Sequence, residues 1–181
     1  MLEKWKILKS KLVFDNQWFT IRQDQVQLPN GKIIDDFFVL VRPDIVLTLA
    51  VTSNQEIVFV RQYRHATGEV LLELPAGSFN PKLESAETAA RRELIEETGY
   101  VPIEMISLGT LYDNPIKDTN TIHLFLAKDV QPSGKQQLDA TEDIEIVLVP
   151  VSQVMERIYQ REIRVSGTLA GIFLGLNLLY N

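Results

Sequence analysis

Residues 74–100 of the chain, LPAGSFNPKLESAETAARRELIEETGY, contain its strongest helix signal. Ser85 is a suitable N-cap, Glu87 places a negative charge in the first turn, and Gly99 stands where many helices end in a left-handed residue. These signals predict a helix from Ser85 to Thr98. Its apolar stripe consists of three alanines and one leucine, Ala86, Ala89, Ala90 and Leu94.

Three glutamates break the usual pattern of this helix. At about 100° per residue, Glu93, Glu96 and Glu97 fall within or beside the apolar stripe, close to the helix end that disfavours negative charge. Carboxylates this close together repel each other, and the pKa of at least one rises unless a cation keeps them ionised. A hard divalent cation such as Mg²⁺ resolves the conflict, because it takes oxygen ligands and leaves positions open for phosphates.

The alternative is that the three glutamates are solvated and only improve solubility. The alanines favour the metal site, because small residues let the helix approach a neighbouring element closely. The segment Leu74-Pro75-Ala76-Gly77 just upstream is interpreted as a rigid turn whose backbone carbonyl joins the site.

The composition narrows the possible function classes. The chain has 181 residues, 45% hydrophobic and 23% charged, as expected for one globular domain. Its net charge of −6 and the lack of a basic run argue against nucleic acid as a partner. The chain has no cysteine, which excludes disulfides and thiolate zinc sites. No signal peptide is evident, and the apolar stretch 168–180 is shorter than the roughly 20 residues of a membrane span, so we expect a cytoplasmic protein without a membrane partner.

The remaining pattern predicts an α+β fold. Strand-like alternation runs through residues 5–41, with a hairpin turn at 29–31, and an antiparallel sheet is therefore expected over 1–42. In residues 43–181, we predict strands over 45–51, 57–63, 106–112, 122–127 and 144–149, and helices over 152–160 and 168–179. A mixed central sheet covered by helices accounts for this order. The polar segment 131–140 is the expected mobile flap.

The helix and its flanks resemble the Nudix box, the motif of the Nudix hydrolases. The matching positions are Gly77, Glu84, Arg92, Glu93, Leu94, Glu96, Glu97, Gly99 and Tyr100. Six residues separate Gly77 from Glu84, one more than in the family pattern. Outside the box, VRQYRHATGEVLLELPAG, HLFLA and TEDIEIVLVP resemble the ADP-ribose and nucleoside diphosphate sugar pyrophosphatase branch of the family.

This resemblance implies the Nudix fold, an α/β/α sandwich, and a homodimer whose N-terminal sheets help to build each other's substrate sites. Glu93, Glu97 and the carbonyl of Ala76 match metal-binding positions, and Glu96 is a further candidate ligand. The implied cofactor is Mg²⁺, with Mn²⁺ as a possible substitute.

The resemblance also implies roles in substrate binding and catalysis. Arg64 matches the arginine that holds the diphosphate, Glu73 matches a position near the metals, and Trp18 matches an aromatic residue that stacks on the nucleobase. Without the resemblance, Trp18 is more typical of a core residue and Arg64 of a surface charge. The predicted catalytic set is Glu142 as the base, with Glu93, Glu96 and Arg92.

The predicted reaction is hydrolysis of the pyrophosphate bond of ADP-ribose or a nucleoside diphosphate sugar, which gives a nucleoside monophosphate and a sugar phosphate. Asp143 and Glu145 are the alternatives to Glu142 as the base. Residues 112–118 differ from the usual family sequence, so GDP-mannose and UDP-sugars stay open as substrates. The alternative function is a regulatory module that binds a nucleotide sugar without turning it over.

Overall fold

A computed structural model describes residues 2–16 and 19–180. The chain forms two compact units. The first, the N-terminal unit, comprises residues 1–43 and 112–121, and the second, the main unit, comprises residues 44–111 and 122–181.

The N-terminal unit is built on a three-stranded antiparallel sheet in the order β1-β2-β3. Its strands are β1 (Lys6–Asp15), β2 (Thr20–Gln27) and β3 (Ile33–Val41). The predicted turn between β2 and β3 is present, and Gly31 takes a left-handed φ of 84° there. Residues 112–121 attach to the edge of β3, where the Leu40 N–H donates to the Lys117 carbonyl at 2.8 Å and the Thr119 N–H donates to the Leu40 carbonyl at 3.1 Å.

The main unit contains a mixed eight-stranded sheet. Its path is β11-β5-β4-β10-β8, while β6 pairs with β5, β7 with β4 and β9 with β10. Strands β4 and β10 are parallel, and β5 runs antiparallel to β4, β6 and β11. The strands are β4 (Asp44–Thr52), β5 (Glu56–Arg64), β6 (Glu69–Glu73), β7 (Ala76–Phe79), β8 (Tyr100–Val101), β9 (Glu104–Tyr112), β10 (Thr121–Pro132) and β11 (Ile144–Pro150).

Helices cover both faces of this sheet. They are α1 (Ala86–Thr98), α2 (Val154–Tyr159) and α3 (Ser166–Tyr180), and a short 3-10 turn (Val151–Gln153) precedes α2. Alternate residues of β4 point to opposite faces, so Val46 packs in the cluster of Ala89 and Ala90, whereas Leu47 packs in the cluster of Ile172. The predicted α+β sandwich is therefore confirmed. None of the described helices is long and apolar enough to cross a membrane.

The predicted turn over 74–77 is wrong in its second half. Ala76 and Gly77 begin β7 and pair with Leu47 and Val46. The reason is that β5 pairs with β4 only near Ala50 and Val51, which leaves the first half of β4 free for another strand. The segment 131–140, expected to be a flap, is a loop only from residue 133, because Gln131 and Pro132 belong to β10 and pair with β8.

Candidate active site

The C-terminal end of α1 lacks the basic side chains that usually accompany a helix end. Gly99 adopts φ 70° and donates its N–H to the Ile95 carbonyl at 2.7 Å. The loop over residues 133–143 supplies further donors: the Ser133 N–H lies 3.0 Å from the Gly99 carbonyl, and the Gln137 N–H lies 2.8 Å from the Glu96 carbonyl. This 133–143 loop therefore satisfies the helix carbonyls with neutral donors.

Glu97 is the most buried of the three glutamates, with 4% of its surface exposed. Its Oε2 accepts a hydrogen bond from the Ala76 N–H at 2.9 Å. Burial raises the pKa of Glu97 to about 8, the Ala76 N–H and the Arg64 guanidinium oppose the rise, and the carboxylates of Glu93 and Glu142 add to it. A carboxyl group in this environment favours a cation when it ionises.

Arg92 joins three carboxylates. Its Nη2 donates to Glu84 Oε1 at 2.9 Å, and its Nη1 donates to Glu93 Oε1 at 2.8 Å and to Glu96 Oε2 at 3.0 Å. These contacts raise the pKa of Arg92, with the Glu84 hydrogen bond as the largest cause. The additional residue before Glu84 therefore does not prevent Glu84 from holding Arg92.

Glu93 lies against Gly77. A Cβ atom added at Gly77 would overlap the Glu93 carboxylate, so this strand position accepts only glycine while the carboxylate stays in place. Burial raises the pKa of Glu93, Arg92 lowers it, and Glu96 and Glu142 raise it further. The carboxylates thus destabilise each other's ionised forms, as the sequence predicts.

The segment that links β6 to β7 is held by helix α3 and by strand β4. The Leu74 N–H donates to the buried Thr168 hydroxyl at 3.2 Å, and the Thr48 N–H donates to the Pro75 carbonyl at 2.9 Å. Just before it, Glu73 is 8% exposed and accepts a hydrogen bond from Arg64 Nε at 2.7 Å. This pairing places Arg64 within electrostatic reach of Glu97.

A cavity of about 230 Å³ lies between β7, α1 and the 133–143 loop. We call it the catalytic cavity, and its lining residues are Ala76, Gly77, Ser78, Arg92, Glu93, Glu96, Gln137, Asp139 and Glu142. The structure therefore brings five predicted site residues to one cavity, namely Ala76, Arg92, Glu93, Glu96 and Glu142.

The other predicted site residues lie elsewhere. Glu97 is buried against Ala76, and Arg64 and Glu73 line a neighbouring cavity. Glu145 pairs with Arg61 at 3.0 Å and its side chain is 64% exposed. Trp18, the predicted nucleobase contact, lies outside the described residues.

Within residues 2–16 and 19–180, no three acidic or histidine side chains gather closely enough to hold a metal ion as they stand. Arg92 engages Glu93 and Glu96, and the Ala76 N–H engages Glu97. The donor set nevertheless fits a hard divalent cation, because it consists of carboxylate oxygens, two of them with pKa values raised by burial, beside a glycine that leaves room for them.

Sequence reasoning missed the residues of the 133–143 loop that build the site. The Gln136 Nε2 donates to the Glu97 carbonyl at 2.7 Å and to the Ile144 carbonyl at 3.2 Å. Asp139 donates its N–H to Glu142 Oε2 at 2.9 Å. The only signal in the sequence is their position just before Glu142, which does not reveal these contacts.

Two family models match the chain. A NUDIX domain model matches residues 41–166, and a nucleoside diphosphate sugar hydrolase N-terminal domain model matches residues 5–40. The chain belongs to the Nudix family. The predicted Nudix hydrolase of the nucleoside diphosphate sugar class is therefore confirmed.

Curated Nudix relatives and a solved structure agree with this assignment. An ADP-ribose pyrophosphatase of Bacillus subtilis is 31% identical over 87% of this chain and 85% of its own length. A GDP-mannose pyrophosphatase of Salmonella arizonae is 32% identical over 91% of each chain. A crystal structure of an ADP compounds hydrolase superimposes with a TM-score of 0.87 at 23% identity, over 99% of this chain and 96% of that one. The last match confirms the Nudix fold.

Proposed function

We propose that the protein hydrolyses the pyrophosphate bond of ADP-ribose or a nucleoside diphosphate sugar in a Mg²⁺-dependent reaction, which yields a nucleoside monophosphate and a sugar phosphate. The observation that carries the proposal is the convergence of Glu93, Glu96 and Glu142 on the catalytic cavity. Relatives named ADP-ribose pyrophosphatase and GDP-mannose pyrophosphatase support the same substrate class.

The proposed cation site uses the carboxylates of Glu93, Glu96 and Glu97 and the carbonyl of Ala76. When Mg²⁺ or Mn²⁺ is bound, it supplies charge neutralisation at the diphosphate and acidifies water. Glu93 and Glu96, which accept hydrogen bonds from Arg92, would hold the cation together with Glu97, while Glu84 also binds Arg92. Arg92 thus holds the carboxylates in position before the cation arrives.

Glu142 is the proposed general base. Its carboxylate faces the catalytic cavity, and the Asp139 N–H holds one of its oxygens. From there it removes the proton of the attacking water. The planar fork of Arg64 donates to the diphosphate oxygens, and Glu73 orients that fork.

The proposed assembly is a homodimer formed through the N-terminal sheet. Strand β1 is exposed along its whole length, and it presents Ile7, Leu12 and Phe14, which are 55%, 60% and 50% exposed. A second copy of the chain would remove these apolar side chains from water. Trp18 is the proposed nucleobase contact across that interface, and the proposed location is the cytoplasm.

The test is turnover of ADP-ribose, GDP-mannose and UDP-glucose with Mg²⁺, with both products identified. The expected result is a nucleoside monophosphate and a sugar phosphate in equal amounts. A relative of Bacillus methanolicus, 30% identical over 92% of this chain, is named methanol dehydrogenase activator, which favours the regulatory alternative as a second candidate. Tight binding of a nucleotide sugar without any product would support that alternative and contradict hydrolysis.

A further inference from the structure

Residues 139–142 form a turn that is closed by two hydrogen bonds between its end residues. The Glu142 N–H donates to the Asp139 carbonyl at 2.9 Å, and the Asp139 N–H donates to Glu142 Oε2 at 2.9 Å. Neither Ala140 nor Thr141 has a positive φ, and a turn with this backbone hydrogen bond and two negative φ angles is typical of type I. Asp139 therefore holds both the backbone and the side chain of Glu142.

The chain on either side of the turn is also held in place. Before the turn, the Gln136 side chain donates to the Glu97 carbonyl at 2.7 Å and to the Ile144 carbonyl at 3.2 Å. After the turn, Ile144 begins β11 and lies opposite Gln62 of β5. What remains variable at Glu142 is the rotation of its side chain, and the hydrogen bond from Asp139 restricts that rotation.

The two oxygens of the Glu142 carboxylate differ in their contacts. Oε2 accepts the Asp139 N–H, whereas Oε1 accepts no hydrogen bond from any residue in the described part of the chain. Glu142 lines the catalytic cavity together with Glu93 and Glu96. The carboxylate thus has one oxygen that is held by the backbone and one that is available to a water molecule in the cavity.

The neighbouring acids do not share this arrangement. Among the described residues, Glu142 lines the catalytic cavity, and Asp143 and Glu145 do not. Ile146 of β11 packs in the cluster of Leu94 in α1, so Glu145 points to the opposite face of the strand, where it pairs with Arg61. The contact with Asp139 therefore distinguishes Glu142 from the two alternative bases.

We propose that Asp139 is a positioning residue whose backbone N–H holds Oε2 of Glu142, so that Oε1 takes the proton of the attacking water. The water transfers one proton to Oε1, its oxygen forms the new bond to phosphorus, and the bridging oxygen leaves with the other phosphate and the electron pair of the broken P–O bond. Oε1 later returns the proton to solvent. The proposal rests on the proposed function, since it takes Glu142 to be the base.

The decisive variant is Asp139→Pro, which removes the N–H donor and keeps Glu142. We expect kcat to fall at least about tenfold, because a small displacement of a catalytic group is costly, and KM and Mn²⁺ affinity to stay within about twofold. Asp139→Asn keeps the N–H and should lower kcat less than Asp139→Pro does. Ala140→Pro is the matched control, because it places the same ring at the second position of the turn, where proline is favoured, and kcat should stay within about twofold.

A double-mutant cycle separates positioning from a general effect on the loop. If Asp139 acts through Glu142, then Asp139→Pro in the Glu142→Ala protein should lower the residual kcat by less than about twofold. An equal loss in both backgrounds, or no loss in either, would overturn the proposal.

A measurement without turnover covers the case in which Asp139→Pro folds poorly. Hydrogen exchange of the Asp139 amide should become at least about tenfold faster in Glu142→Ala and stay within about twofold in Glu145→Ala. Unchanged exchange in Glu142→Ala would overturn the proposal. If the wild-type protein turns over none of the substrates, the proposed function fails, and this exchange measurement still decides whether Asp139 holds the Glu142 carboxylate.

Discussion

The two ends of helix α1 differ in how they follow the rules of helix stability. At the N-terminal end, Ser85 Oγ accepts the Thr88 N–H at 3.1 Å, and Glu87 provides the favoured negative charge and pairs with Arg91 at 3.3 Å. At the C-terminal end, Glu93 and Glu97 place acidic side chains where the helix dipole disfavours their ionised forms. The contacts at the N-terminal end stabilise the helix. We infer that the carboxylates at the C-terminal end lower the stability of the helix and are present because they bind a cation.

The C-terminal end keeps its structure through its neighbours. Arg92 offsets part of the charge, the Ala76 N–H holds Glu97, and the 133–143 loop satisfies the carbonyls. Substitutions at this end should therefore change activity strongly and stability little, whereas substitutions at the other end should do the reverse.

Glu142→Gln should lower kcat more than any substitution at Gln136 or Ser85. Loss of a general base lowers kcat by about a hundredfold or more, while Mn²⁺ affinity should change little because Glu142 is not among the proposed ligands. Steady-state kinetics and Mn²⁺ titration measure the two effects. Glu145→Gln is the comparison, since Glu145 is exposed and paired with Arg61. A loss of turnover in Glu145→Gln but not in Glu142→Gln would assign the base to Glu145.

Gln136→Leu should lower kcat by about ten- to thirtyfold, because a small displacement of a catalytic group is costly. Gln136 uses both hydrogens of one amide, at the Glu97 carbonyl and at the Ile144 carbonyl, and so closes the loop that carries Glu142. KM should change little, and hydrogen exchange at residues 138–143 should increase. Gln131→Leu, the same change at an exposed position of β10, is the control. Unchanged exchange in Gln136→Leu would show that the amide does not hold the loop.

The pH dependence of the free energy of unfolding should reveal the buried carboxyl group at the C-terminal end of α1 without an activity assay. The pKa of Glu97 is about 8 in the folded protein against an ordinary value of 4.5, so between these values the folded state keeps a proton that the unfolded state has lost. Metal-free protein should therefore lose stability as pH rises from 4.5 to 8, by at most about 1.4 kcal/mol per pH unit from this group.

Urea unfolding in the presence of a chelator measures this slope. Glu97→Gln should make the slope smaller by the contribution of Glu97, because the amide cannot titrate and can still accept the Ala76 N–H. Identical slopes in the wild type and Glu97→Gln would show that Glu97 is ionised across this range.

Ser85→Ala should have the smallest effect on the reaction. Loss of the N-cap costs about 1 kcal/mol of unfolding free energy, and kcat/KM should not change, since Ser85 lies at the opposite end of α1 from the carboxylates. Chemical denaturation and kinetics on the same preparation test both statements. A large loss of activity with full stability would contradict the division of roles between the two ends.

The bounds of α1 can be predicted from the sequence, but its neighbouring strand and the contacts around its C-terminal end cannot. Ser85 and Gly99 are local signals, so the bounds of α1 follow from the sequence. Strand β7 does not follow from the sequence, because it pairs with the part of β4 that β5 leaves open, a contact between distant parts of the chain. The family pattern identifies Glu93, Glu96 and Glu97, but the contacts of Gln136 depend on how the 133–143 loop folds back on α1.

A Mn²⁺ titration is the most direct test of the claim that the carboxylates at the C-terminal end of α1 bind a divalent cation. Free Mn²⁺ can be followed by electron paramagnetic resonance during titration of the wild type, Glu97→Gln and Glu87→Gln. We expect Glu97→Gln to weaken binding at least about tenfold and Glu87→Gln, at the opposite end of the helix, to leave it unchanged. Equal Mn²⁺ affinity in all three proteins would contradict the claim.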